Sequence, residues 1–109
     1  MMSRSSTAIL ALVLLTANAG AQEPLPERCA PALIVETMGQ VEKRCPNLRI
    51  TFEGHEMAAT IRKRYDDAAC FSAARSYVAD EVRAMPNAWC TAAEYKLNGN
   101  ATPLVARRR

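Results

Sequence analysis

The sequence predicts an all-α fold: a small domain of three or four helices, stapled by disulfides and released from a cleaved signal peptide. Three observations carry this expectation. The N-terminus runs from charged to apolar to small residues, as an export leader does; all four cysteines stand after that leader; and apolar residues between positions 31 and 98 recur at helical spacing.

The leader comes first. Met1 to Thr7 is polar and carries one charge, Arg4, and Ala8 to Ala17 reads AILALVLLTA with no charge. Ala19-Gly20-Ala21 is a small-x-small cleavage site, with Gln22 the expected first mature residue. These are the three parts of a secretory signal peptide. The competing reading is an uncleaved anchor, but a span needs about 20 apolar residues, and this run is half that. No cysteine sits at the cleavage site to take a lipid. No later run approaches transmembrane length, so the mature chain is expected to be periplasmic or secreted, without stable membrane insertion. The expected organisation is a signal peptide over 1–21, an extended lead-in over 22–30, a helical domain over 31–99 and a flexible basic tail over 100–109.

Removing 21 of 109 residues leaves 88, enough for one small domain with a marginal core. Small exported domains commonly add disulfides, and Cys29, Cys45, Cys70 and Cys90 supply two. Zinc sites usually place two cysteines a few residues apart; here the gaps are 15, 24 and 19 residues, with no Cys-x-x-Cys. The formal charge of +3 includes Arg4 in the leader and Arg107, Arg108 and Arg109 in the tail. Without those four, 10 basic residues face 11 acidic ones. A nucleic-acid binder concentrates positive charge on one face, so nucleic acid is not an expected partner.

Pro24 and Pro26 make the lead-in extended. A first helix is expected over about 32–44, because Ile34, Met38, Val41 and Cys45 fall on one face. Pro31 suits its first turn and Pro46-Asn47 its end. From Phe52 to Met85 the helical pattern changes phase. Met57, Ile61, Tyr65 and Ala68 cluster within about 80°, while Phe71, Ala74, Val78, Val82 and Met85 centre roughly 90° away. A break at Asp66-Asp67 reconciles the two groups, with Asp as the N-cap of the later helix. Asn87 is expected to cap a last helix reaching Asn98, with Trp89, Cys90, Ala93 and Leu97 inward and Gly99 as a left-handed C-terminal cap. Leu48, Ile50 and Phe52 alternate, in a segment too short for a sheet. Residues after Ala101 show no period and read as a frayed tail.

Helix geometry restricts the cysteine pairing. Cys29 and Cys45 flank a helix of about 14 residues and stand about 20 Å apart, whereas a disulfide needs α-carbons within about 7 Å. If the first helix folds back on the next near residue 49, Cys29 falls opposite residue 69, beside Cys70. Cys45 is then left for Cys90, which requires the chain to turn back at Asp66-Asp67.

Cys45-Pro46, followed by Trp89-Cys90 opening a last helix before a glycine and a basic end, resembles a family of small exported proteobacterial proteins of unknown function. The resemblance spans residues 45–109 and leaves Cys29 and Cys70 as an extra pair. It implies a Cys45–Cys90 bridge in an all-helical domain and supplies no activity.

Catalytic vocabulary is sparse. His55 opens the run His55-Glu56-Met57-Ala58-Ala59, which resembles the zinc-protease pattern H-E-x-x-H, but Ala59 stands where the second histidine is required. A looser copper or zinc site could use His55 with Glu56 or Met57. Ser72 and Ser76 have no base beyond His55, and no phosphate-cradling glycine loop exists. The carboxylates of Asp66-Asp67 and Asp80-Glu81 are adjacent, so on a helix they diverge by about 100°. Arg62, Lys63 and Arg64 can form pairs with Asp66 and Asp67 within a turn and read as a solvated helix face. Trp89 is expected to sit in the core against its neighbouring disulfide; exposed together with Tyr95, it would be the first candidate for a partner-binding patch. The leading expectation is therefore a non-enzymatic interaction protein of the periplasm, without a cofactor, whose partner is a protein or an envelope component. The alternative is a metal- or small-ligand-binding module centred on His55, and a third reading uses the arginine tail at a membrane.

Overall fold

The computed structural model describes residues 23–99 and 102–109; the signal peptide expected over 1–21 lies outside them. A single 3-10 turn, Glu27–Cys29, leads into four helices: α1 (Ala30–Arg44), α2 (Phe52–Arg64), α3 (Ala68–Ala84) and α4 (Trp89–Leu97). Two short strands, β1 (Leu48–Ile50) and β2 (Val105–Arg107), complete the fold. Among the described residues no helix is long and apolar enough to cross a membrane.

Each helix begins and ends for a local reason. Pro31 occupies the first turn of α1, where its missing amide costs nothing, and Lys43 and Arg44 face the negative end of its dipole. Thr51 caps α2, its Oγ1 accepting from the Gly54 amide at 3.0 Å. The phase break falls at residues 65–67, and Asp67 Oδ1 caps α3 by accepting from the Cys70 amide at 3.0 Å. Asp67 also faces Arg28 Nε at 3.9 Å. Among the described residues it does not pair with Arg62, Lys63 or Arg64, since its capping bond turns it toward α3. Helix α4 is entered through Ala88 with no side-chain cap, so Asn87 does not serve as one. Asn98 is its C-cap, and Gly99 is not left-handed, since no described glycine has positive φ.

The α1–α3 pair forms the most extensive helix contact. Val35, Met38 and Val41 of α1 meet Val78 of α3, Trp89, Ala93 and Leu97 of α4, and Leu48 of β1 in one core. A smaller cluster surrounds the first bridge, where Cys29, Ala32, Cys70 and Ala74 are covered by Leu25, Leu33, Tyr65 and Phe71. Cys29 is joined to Cys70 with α-carbons 5.1 Å apart, and Cys45 to Cys90 at 5.7 Å. One bridge thus ties the start of α1 to the start of α3, and the other ties the end of α1 to the start of α4.

Three expectations about the periphery are corrected. Residues 48–50 do build a sheet, because β1 pairs antiparallel with β2 in the register Leu48↔Arg107, Arg49↔Ala106 and Ile50↔Val105. For the same reason residues 104–107 are not a flexible tail: Leu104 and Val105 are among the most buried side chains of the protein. The lead-in is also not wholly extended, since it closes into the turn at Glu27–Cys29. In α2 the inward face centres on Gly54 and Ala58, with Met57 and Ile61 half-buried beside them. This rotation follows from the C-terminal segment, which lies against Gly54.

Candidate binding surface

His55 lies in the first turn of α2, its amide bonded to the Thr51 carbonyl at 2.9 Å and its side chain exposed. Glu56 and Met57 follow it at successive 100° steps around the helix, so the three diverge. Among the described residues no group of three or more His, Cys, Asp or Glu is placed to hold a metal ion. An open groove of about 600 Å³ runs along α2 past Glu56, Met57, Thr60, Ile61 and Lys63, and His55 is not in its lining. Phe52, 70% exposed at the start of α2, also stands apart from it.

Trp89 and Tyr95 are separated by the structure. Trp89 is 3% exposed within the main core, so it belongs to no surface patch. Six residues further on, about 240° around the helix, Tyr95 is 82% exposed. It borders an open groove of about 590 Å³ between the outer face of α4 and β2, lined also by Thr91, Glu94, Lys96, Asn98 and Arg107. A smaller adjoining cleft of about 350 Å³ shares Thr91, Glu94 and Arg107 and adds Asn47, Cys90 and Arg108.

The frame of this surface is built from long-range polar contacts. Asn98 Oδ1 accepts from the amides of Leu104 at 3.0 Å and Val105 at 3.1 Å, holding the returning chain against the end of α4. Thr51 holds it from the other side: its hydroxyl donates to the Pro103 carbonyl at 3.0 Å and its amide to the Leu104 carbonyl at 3.0 Å. Arg107 grips Glu94 of α4 through Nε and one terminal nitrogen, at 3.1 and 3.4 Å. Arg108 donates from its amide to the Asn47 carbonyl at 2.7 Å and from Nε to the Leu48 carbonyl at 3.1 Å. Lys96 is drawn to the buried Glu81 of α3 at 2.6 Å. The groove's two cations, Arg107 and Lys96, are thereby answered by carboxylates, leaving a lining more apolar than polar around one projecting phenol.

No family model, curated protein or solved structure matches the chain. The geometry therefore stands by itself. It places Tyr95 and Arg107 around one groove and Arg108 in the adjoining cleft, whereas the sequence left Tyr95 apart from the arginine tail, and it adds Thr51, Gly54, Asn98 and Leu104, which the sequence did not single out. A threonine directly before a helical segment is a readable cap signal. Nothing local marks Asn98 or Leu104, because the groups they meet are distant or only defined once the chain has turned.

Proposed function

We propose that this chain is an exported, non-enzymatic binding protein that engages a protein or envelope partner through the α4–β2 surface centred on Tyr95. The carrying observation is the exposure of Tyr95 at the edge of an open groove. Tyrosine on a rigid base supplies large contact area with little side-chain entropy to lose, which is why it is enriched at binding hot spots. The base here is fixed by the Cys45–Cys90 bridge and by the Asn98 and Arg107 contacts. Export is supported by two disulfides, which persist in oxidising compartments, and by the leader-like start of the sequence; a periplasmic location also accords with the family resemblance in the Cys-Pro and Trp-Cys motifs. A photo-crosslinking amino acid at position 95, in the full chain expressed in its own host, tests the proposal. Discrete adducts from position 95 and none from position 72, on the outer face of α3, are expected. Equal labelling from both positions, or no adduct from 95, would reject the surface.

A further inference from the structure

The two disulfides stand in different surroundings. Cys29 and Cys70 are 2% and 1% exposed. They are enclosed by Leu25, Leu33, Tyr65 and Phe71, with the Tyr65 hydroxyl 3.4 Å from Cys70 Sγ and the Tyr65 and Phe71 rings edge to face at 6.0 Å. The other bridge is shielded on one side alone. Cys45 is buried, but Cys90 is half-buried and lines the 350 Å³ cleft together with Arg107 and Arg108.

Cys90 is also the second residue of the nine-residue helix α4, whose N-terminus has no side-chain cap. The positive end of the helix dipole favours a negative charge there, although the Trp89 amide is already bonded to the Met85 carbonyl at 2.9 Å. A thiolate beside arginines and at a helix N-terminus is stabilised for the same electrostatic reasons. Arg107 and Glu94 answer each other's charge, so Arg108, bonded to the Asn47 and Leu48 carbonyls, is the cleft's cation without a carboxylate partner among the described residues. The Arg44 carbonyl oxygen lies 3.6 Å from Cys90 Sγ. Thiol–disulfide exchange depends on access to the attacked sulfur and on how well the released thiolate is stabilised. Access favours attack on Cys90 of the Cys45–Cys90 bridge, and stabilisation of its thiolate favours the second step, in which Cys90 is released.

We infer that Cys45–Cys90 is a redox-labile bridge, opened by a dithiol reductant while Cys29–Cys70 stays closed. A thiolate of the dithiol attacks Cys90 Sγ, the Cys45–Cys90 bond breaks, and Cys45 Sγ leaves with the electron pair and takes up a proton. The second thiol of the reductant, deprotonated, then attacks the reductant's own sulfur in the mixed disulfide. This closes the reductant's internal disulfide and releases Cys90 as a thiolate at the start of α4. Two electrons pass from the dithiol to the bridge. Opening unties α4 from α1 at the point where the Tyr95 surface is founded, while the α1–α3 pair keeps its staple. The inference does not depend on the identity of a binding partner.

The test is graded exposure of the oxidised protein to dithiothreitol without denaturant, quenching with N-ethylmaleimide and mapping of the labelled peptides. A one-bridge species labelled at Cys45 and Cys90 should accumulate, with that bridge opening about tenfold faster or more than the other. Equal rates, or earlier opening of Cys29–Cys70, would overturn the inference. An R107Q/R108Q variant, checked for an unchanged helical spectrum, should slow opening by an anionic monothiol such as glutathione several-fold; an unchanged rate would remove the arginines from the account. A spectrum that does change directs the same comparison to R108Q alone, which leaves the Arg107–Glu94 pair in place.

Discussion

Glycine ordinarily weakens a helix, by about 0.5–1 kcal/mol relative to alanine, yet two helical glycines here should respond to alanine with opposite signs. At Gly39 in α1 an added methyl would meet nothing within 4 Å, so G39A should stabilise by about 0.5–1 kcal/mol. At Gly54 the same methyl would strike the Leu104 carbonyl oxygen and approach Ile50 Cγ2 to 2.7 Å. G54A should therefore destabilise by about 1–3 kcal/mol, the usual cost of overpacking. Thermal melts of the two variants measure both, and a raised melting temperature for G54A would contradict the close approach of the C-terminal segment. Glu81 offers a second comparison. It is buried in α3 with Lys96 as its partner, whereas the Arg83–Asp80 pair is exposed. Lys96→Met leaves a buried carboxylate unanswered and should cost about 1–3 kcal/mol, against less than about 1 kcal/mol for Arg83→Met. Urea titration of both variants gives the difference.

At the scale of elements, the C-terminal segment 104–107 supplies two side chains of the core, Leu104 and Val105. Leu104 is 1% exposed and sits among Leu48, Trp89 and Leu97 in the same cluster. Leu104→Ala should cost about 2–5 kcal/mol, read from the denaturant midpoint; a loss below about 0.5 kcal/mol would return residues 104–107 to the status of a tail. The sequence concealed this strand for a physical reason. Helices α1 and α3 and the break at residues 65–67 were legible because a 3.6-residue period accumulates over four or five turns and because Asp67 is a capping residue. A three-residue strand carries too little alternation to register, and its partner lies more than fifty positions away. The inward turn of Trp89 followed from its place with Ala93 and Leu97 on one helical stripe. The groove beside Tyr95 did not, since half of it is supplied by a strand whose position was unknown.

For the whole molecule the bridges dominate. They span 41 and 45 residues, and each loop closure is worth about 4 kcal/mol in the chain-entropy argument. Ordinary domains hold about 5–15 kcal/mol in total. Reduction of both bridges should therefore abolish the cooperative thermal transition, seen by circular dichroism with and without excess reductant. A reduced sample that melts cooperatively would show that the helices hold together through their apolar contacts alone. Helix α1 has one further consequence, concerning the order in which cysteines become available. A chain made from its N-terminus presents Cys29 and Cys45 before either of their native partners exists, so the first encounter open to an oxidant is the wrong one. Once α1 has coiled, its fifteen residues act as a ruler, holding those two sulfurs about 20 Å apart until the later cysteines arrive. The helix that the bridges hold in place thus also proofreads how they form.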